Sequence, residues 1–79
     1  MMDANKNKVI LNRIKVVLVE TGHTGRWLAE RLGKAPATVS KWCTNTSQPD
    51  LYTLQEISSL LQISIRDLLK DDSQHVEKE

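Results

Sequence analysis

The segment from residue 25 to residue 44 constrains the fold more than any other part of the chain. It has the sequence GRWLAERLGKAPATVSKWCT, in which two short helical patterns flank a glycine. Ala29 supplies a small side chain where two steeply crossing helices approach each other, and Gly33 allows the positive φ of a sharp reversal. Four apolar residues have the spacing that fills the wedge between the helices: Leu28, Leu32, Val39 and Trp42. The pattern predicts a helix-turn-helix unit, with helices over residues 25–32 and 36–43.

The rest of the chain shows helical periodicity and lacks the alternating pattern typical of a strand. We therefore predict an all-α fold with five short helices. The first helix is expected over residues 8–21, where Ile10, Ile14 and Val17 form a stripe that can face a core. Gly22 follows that stripe and suits the left-handed turn that ends a helix.

Residues that favour helix ends divide the remaining sequence. Thr24 and Asp50 are suitable N-caps for the second and fourth helices, and Pro36 suits the first turn of the third. Ser64 and Asp67 form a capping pattern, which predicts the fifth helix over residues 65–70. The apolar residues that the fourth helix turns inward are Leu54, Ile57 and Leu61.

Size and composition restrict the classes of function. The chain has 79 residues, 39% hydrophobic and 27% charged, which is typical of one small globular domain. We expect flexible ends at residues 1–7 and 71–79, the second of them acidic, around a domain at residues 8–70. The sequence contains neither a membrane-length apolar stretch nor a signal peptide, so we expect a cytoplasmic protein without membrane contact. One cysteine and two histidines argue against a disulfide or a structural zinc site. We expect no enzyme activity and no cofactor, because no catalytic set of residues is apparent.

The net charge of +1 conceals an uneven distribution along the chain. Residues 6–44 contain eight basic and two acidic residues, whereas residues 45–79 contain three basic and seven acidic residues. Clustering by chance is one explanation. The other is that the basic half binds a polyanion and the acidic half has a different role.

Three segments resemble the helix-turn-helix family of phage repressors, Cro proteins and xenobiotic-response-element regulators. They read L-A-E-R-L-G-K-x-x-x-T-V-S-K-W, then Q-P-x-L-x-T-L-x-x-I, then I-S-I-R-D-L-L, within residues 10–69. The resemblance implies a compact five-helix bundle of the lambda-repressor-like type. It also implies binding of double-stranded operator DNA, commonly as a homodimer.

By that resemblance the third helix would enter the DNA major groove. Lys41 would donate to guanine O6 or N7, and the Ala37 methyl group would touch a thymine methyl. The full set of expected base-reading residues is Pro36, Ala37, Ser40 and Lys41. The expected phosphate contacts are Thr24, Gly25, Arg26, Lys34, Thr38, Thr44, Asn45 and Thr46.

The sequence departs from the family pattern in three ways. A glutamine often stands at the Gly25 position, where it contacts phosphate and braces the first base-reading side chain. Pro36 and Ala37 also lack side-chain hydrogen-bonding groups. We therefore expect few direct contacts to bases and a larger contribution of DNA shape to specificity. The family often places a buried arginine–glutamate pair where this chain has Leu18 and Cys43. Replacing both partners together is often neutral.

Several residues have two interpretations that the sequence leaves open. The helix pair also fits an αα-hairpin in a protein-binding bundle, and Lys41 also fits a solvated surface position. Cys43 fits a buried inert thiol better than a redox sensor, and Trp27 fits packing at the core edge better than contact with a partner or DNA. His23 is expected in a solvated loop and His75 in the tail. Three acidic residues are expected at a solvated helix end, and not as a DNA mimic or a catalytic pair: Asp67, Asp71 and Asp72.

We therefore expect a small transcriptional regulator, most simply a repressor, that binds specific double-stranded DNA sequences. A dimer would read half-sites about 34 Å apart. Leu60 and Leu69 are the candidate dimer residues, with Leu11 and Val19 as the rival patch. The alternative is a DNA-binding antitoxin or control protein that acts with a protein partner.

Overall fold

A computed structural model describes residues 10–70. In this range the chain forms four α-helices and one 3₁₀-helix: α1 Ile14–Glu20, α2 Gly25–Leu32, α3 Pro36–Cys43, α4 Leu51–Leu61 and the 3₁₀-helix Ile65–Leu68. The predicted all-α class is confirmed. The predicted chain ends at residues 1–7 and 71–79 lie outside the described residues.

The bounds of α2 and α3 agree with the sequence prediction because local signals set them. The Thr24 hydroxyl accepts a hydrogen bond from the Trp27 N–H at 3.0 Å, which caps α2. Gly33 ends α2 with a φ of 70°, a left-handed conformation that glycine adopts without steric cost. Pro36 occupies the first turn of α3, where its missing N–H has no helical partner to lose.

The predicted start of the first helix is wrong for the described residues 10–13. Asn12 pairs with Leu69 in an antiparallel bridge, and the Arg13 N–H donates to the Leu68 carbonyl at 2.8 Å. These long-range bonds hold the segment in a non-helical conformation, and α1 begins only at Ile14. Ile10 is consequently 44% exposed and does not extend the core stripe. Ile14 and Val17 are buried as predicted.

The fifth predicted helix is a short 3₁₀-helix. Its capping box is present, since Ser64 accepts from the Arg66 N–H and Asp67 accepts from the Ser64 N–H, both at 3.3 Å. Leu69 has extended backbone angles because it pairs with Asn12. The described chain therefore has four α-helices where the sequence predicted five helices in all.

One hydrophobic core joins all five helical elements. Its buried residues are Ile14, Val17, Leu18, Leu28, Ala29, Val39, Trp42, Leu54, Ile57, Leu61 and Leu68. Leu32 is only half-buried and packs against this core from its edge. No helix within residues 10–70 has the length and apolar character needed to cross a membrane.

Candidate nucleic-acid interface

The α2–α3 pair is built around a close approach at Ala29. This residue is fully buried, and its carbonyl accepts from the Lys34 N–H at 2.9 Å just beyond the glycine turn. The pair forms the most extensive contact between elements of the fold. The turn and the small residue together fix how α3 is presented, as the sequence predicted.

One side of α3 is buried and the other faces solvent. Val39 and Trp42 are 1% and 5% exposed, so they anchor the helix to the core. All four residues predicted to read bases are exposed: Pro36, Ala37, Ser40 and Lys41. Their role in contacting DNA stays a prediction.

A cleft lies between the end of α1, the start of α2 and the exposed side of α3. We call it the α1–α2–α3 cleft. Its lining includes six residues assigned to DNA by the sequence: Thr24, Gly25, Arg26, Pro36, Ser40 and Thr44. Lys34, Thr38 and Thr46 are not part of this lining, and nor are the base-reading candidates Ala37 and Lys41. The structure thus brings the start of α2 and one side of α3 together.

Two further residues of this cleft were missed by the sequence analysis. Lys15 and His23 line it, and both bear groups that suit an anion. Lys15 had a usable signal, because it lies three residues before Leu18 and helical residues at that spacing share a face. His23 precedes α2 and gave no comparable signal.

Comparison with known proteins identifies the family of this chain. A helix-turn-helix family model matches residues 17–68, from α1 to the 3₁₀-helix. The chain belongs to the helix-turn-helix family of the xenobiotic-response-element type. A crystal structure of a "putative DNA-binding protein" from Bacteroides fragilis is similar to it, with 50% sequence identity and a TM-score of 0.76. That similarity covers 78% of this chain and 100% of the other. No curated protein matches the chain.

The fold of this helix-turn-helix protein fits the lambda-repressor-like type. Leu18 and Cys43 stand at the two positions where the family often has a buried arginine–glutamate pair. Leu18 is 2% exposed and Cys43 is half-buried against the core. Burial raises the pKa of the Cys43 thiol, while the positive charge of Lys15 opposes that shift. A raised pKa keeps the thiol protonated at neutral pH, which agrees with the inert interpretation.

Gly25 begins α2 in this helix-turn-helix protein, and its surroundings leave room for a β-carbon. A β-carbon at this position would lie 3.7 Å from Val39 Cγ1 and 4.0 Å from Cys43 Sγ, which are ordinary contacts. Glycine has no side chain that could cover the N–H groups of Gly25 and Arg26, whereas the Trp27 N–H is already bonded to the Thr24 hydroxyl. The first N–H groups of a helix have no intrahelical partner and attract anions.

The turn after α3 is held from within the protein. The Asn45 amide oxygen accepts from the Leu11 N–H at 2.8 Å and the Asn12 N–H at 3.0 Å. Its amide nitrogen donates to the Asn12 carbonyl at 3.2 Å. The hydroxyl oxygens of Thr44 and Thr46 lie 2.8 Å apart on the exposed side of the same turn. Asn45 therefore shapes the turn, whereas the two threonine hydroxyls remain at the surface.

Trp27 contacts two polar side chains, His23 just before α2 and Arg31 one turn further along it. The imidazole of His23 stacks on it, with ring centroids 3.7 Å apart and planes inclined by 14°. The Arg31 guanidinium carbon lies 5.6 Å from the indole centroid, within the range of a cation–π contact. Trp27 also packs at the edge of the core, in agreement with the packing interpretation. His23 lies in the loop before α2, as predicted, and is half-buried, so it is only partly exposed to solvent.

Proposed function

We propose that this protein is a transcriptional regulator that binds specific sequences of double-stranded DNA by inserting α3 into the major groove. The observation that carries the proposal is the exposed side of α3 beside a cleft that contains two cations, Lys15 and Arg26. Anchoring by Val39 and Trp42 lets that side protrude without loosening the core. Repression by covering a promoter in the cytoplasm is the simplest consequence.

Base readout depends on a small set of contacts. Lys41 donates to guanine O6 or N7, and Ser40 offers one hydroxyl to a base or a phosphate. Ala37 touches a thymine methyl, and Pro36 contributes shape only. Each good polar contact discriminates by about 1–3 kcal/mol, so DNA shape has to supply part of the specificity.

Phosphate contacts surround this base-reading side. At the start of α2, Thr24, Gly25 and Arg26 meet one phosphate through backbone N–H groups and a guanidinium. Lys15 reaches into the same cleft from α1. The remaining phosphate candidates lie around α3: Lys34, Thr38, Thr44 and Thr46. Asn45 serves this set by holding the turn, because its amide already bonds the segment before α1.

We also propose a homodimer through Leu60 and Leu69, which are 37% and 40% exposed. α4, which contains Leu60, packs on the 3₁₀-helix, and Leu69 directly follows that helix. The rival patch includes Val19, which lines the α1–α2–α3 cleft. A dimer through Val19 would therefore cover the proposed DNA surface. Leu60→Lys and Leu69→Lys should shift sedimentation toward the monomer, whereas Val19→Lys should not. Unchanged sedimentation in both leucine variants would exclude this dimer surface.

DNA binding is tested by selection from a random duplex pool, followed by affinity measurement at several salt concentrations. We expect a palindromic consensus and a log–log salt slope of about −0.9 per neutralised phosphate. Negligible affinity at low salt would instead support a protein-binding bundle.

Three variants separate the roles of the basic residues. Lys41→Ala should change the sequence preference, while Arg26→Ala should weaken all sequences equally and reduce the slope by about 1. Arg66→Ala, at an exposed arginine of the 3₁₀-helix, is the matched control and should leave binding unchanged. Equal losses on every sequence from Lys41→Ala would refute its base-reading role.

A further inference from the structure

His23 is positioned by two independent features of the fold. Its ring lies nearly parallel to Trp27 at 3.7 Å, which restricts the rotation of the imidazole. Its backbone N–H donates to the Leu18 carbonyl at 2.8 Å, which fixes the residue between α1 and α2. A histidine held at both its backbone and its ring presents its nitrogen atoms in a defined direction.

The same residue lines the α1–α2–α3 cleft. It shares that cleft with Lys15 from α1, Arg26 from α2 and the Cys43 thiol from α3. Arg31 adds a positive charge near Trp27, the ring on which His23 stacks. Among the described residues that line the cleft, none is acidic, so no carboxylate competes with an incoming anion.

We propose that His23 contacts a phosphate of bound DNA and does so as the imidazolium. This inference rests on the proposed DNA binding and adds a contact to the same surface. A protonated imidazole donates from both ring nitrogens and carries a positive charge, whereas the neutral ring donates from one nitrogen and has no charge. An adjacent phosphate favours the charged form of an imidazole, so formation of this contact is coupled to proton uptake. DNA affinity therefore increases as the pH falls.

The test is the affinity of the protein for one duplex from the selected pool, measured from about pH 6 to about pH 8 at constant ionic strength. A hydrogen bond to a charged group of this kind corresponds to a change of about tenfold in affinity over that range. His23→Gln and His23→Phe should bind as the wild type does at high pH and lose the gain at low pH. The phenylalanine variant retains stacking on Trp27, so it separates charge from packing.

Two more variants complete the design. His23→Lys carries a permanent charge and should keep high affinity at both ends of the pH range. His75→Gln changes the other histidine of the chain and should retain the wild-type pH dependence. In the wild type, the salt slope should be steeper at low pH by about one phosphate contact.

The outcomes separate this inference from the proposed function. Binding with the wild-type pH dependence in both His23→Gln and His23→Phe overturns the His23 contact and leaves DNA binding intact. Loss of the pH dependence in His75→Gln also overturns it. Absence of DNA binding by the wild type at every pH overturns the proposed function and the His23 contact together.

Discussion

Asn12 ties the segment before α1 to the end of α3, and its replacement by alanine should be strongly destabilising. The side chain is 4% exposed. Its amide nitrogen donates to the Trp42 carbonyl at 3.0 Å and to Gln48 Oε1 at 2.7 Å. Its amide oxygen accepts from the Ile14 N–H at 2.9 Å, at the first turn of α1. One side chain thus joins three parts of the chain.

The expected loss follows from these three hydrogen bonds. Each contributes about 0.5–1.5 kcal/mol net, and a buried group left without its partner adds to the cost. We expect Asn12→Ala to lower the free energy of unfolding by about 2–4 kcal/mol. A domain of this size loses about 4–8 °C in Tm per kcal/mol, so the melting temperature should fall by about 10–25 °C.

Urea and thermal unfolding of Asn12→Ala, Gln48→Ala and the double variant measure this effect. Gln48→Ala removes one of the three Asn12 bonds, the most solvent-accessible, together with an exposed bond from Gln48 to Asn45, and should cost about 1 kcal/mol. The double variant should be less destabilised than the sum of the two single variants, because both remove the same bond. If Asn12→Ala lowers the free energy of unfolding by less than about 0.5 kcal/mol, these hydrogen bonds do not hold the segment before α1 in place.

Three further substitutions test other parts of the fold. Ala29→Leu should destabilise the protein by about 1–3 kcal/mol through overpacking of the α2–α3 contact, and a variant that melts as the wild type does would contradict the close approach. Gly33→Ala should cost about 1–2 kcal/mol in urea unfolding, because no atom lies within 4 Å of the added β-carbon and only the positive φ opposes it; a neutral result would argue against that backbone conformation. The Thr53 N–H and then the Thr53 hydroxyl hold the pKa of Asp50 below its ordinary value. The stability that this N-cap contributes should be fully present above the unfolded pKa of about 3.9 and should be lost as the pH falls through the lowered pKa. Urea unfolding at several pH values measures this loss. Asp50→Asn should not show it, because its side chain does not titrate.

The helix-turn-helix unit was predictable because its signals are local. Thr24, Gly33 and Pro36 each act on backbone within four residues of themselves, and the structure places α2 and α3 at the predicted bounds. The segment before α1 was not predictable in the same way. Asn12 bonds residues at positions 42, 45 and 48, and periodicity within one segment carries no information about such partners.

The candidate DNA surface also has one part that the sequence predicted and another part that required the tertiary structure. The exposed side of α3 follows from helical spacing once Val39 and Trp42 are assigned to the core. The addition of Lys15 and His23 required the packing of α1 against α3, which brings side chains from three helices around one cleft. His23 also needed Trp27 as a stacking partner, and the sequence alone did not indicate which face of α2 that ring would take.

By itself the sequence determined the all-α class, the family and the two helices of the motif, because caps, a positive-φ glycine and apolar spacing act over a few residues. Only the tertiary structure decided that Ile10 faces solvent, that the last element is a 3₁₀-helix, and that Asn12 bonds the end of α3. Those outcomes depend on hydrogen bonds that residues 11–13 make with residues 68–70 and with the end of α3, segments that lie far apart in sequence and meet only when the core assembles.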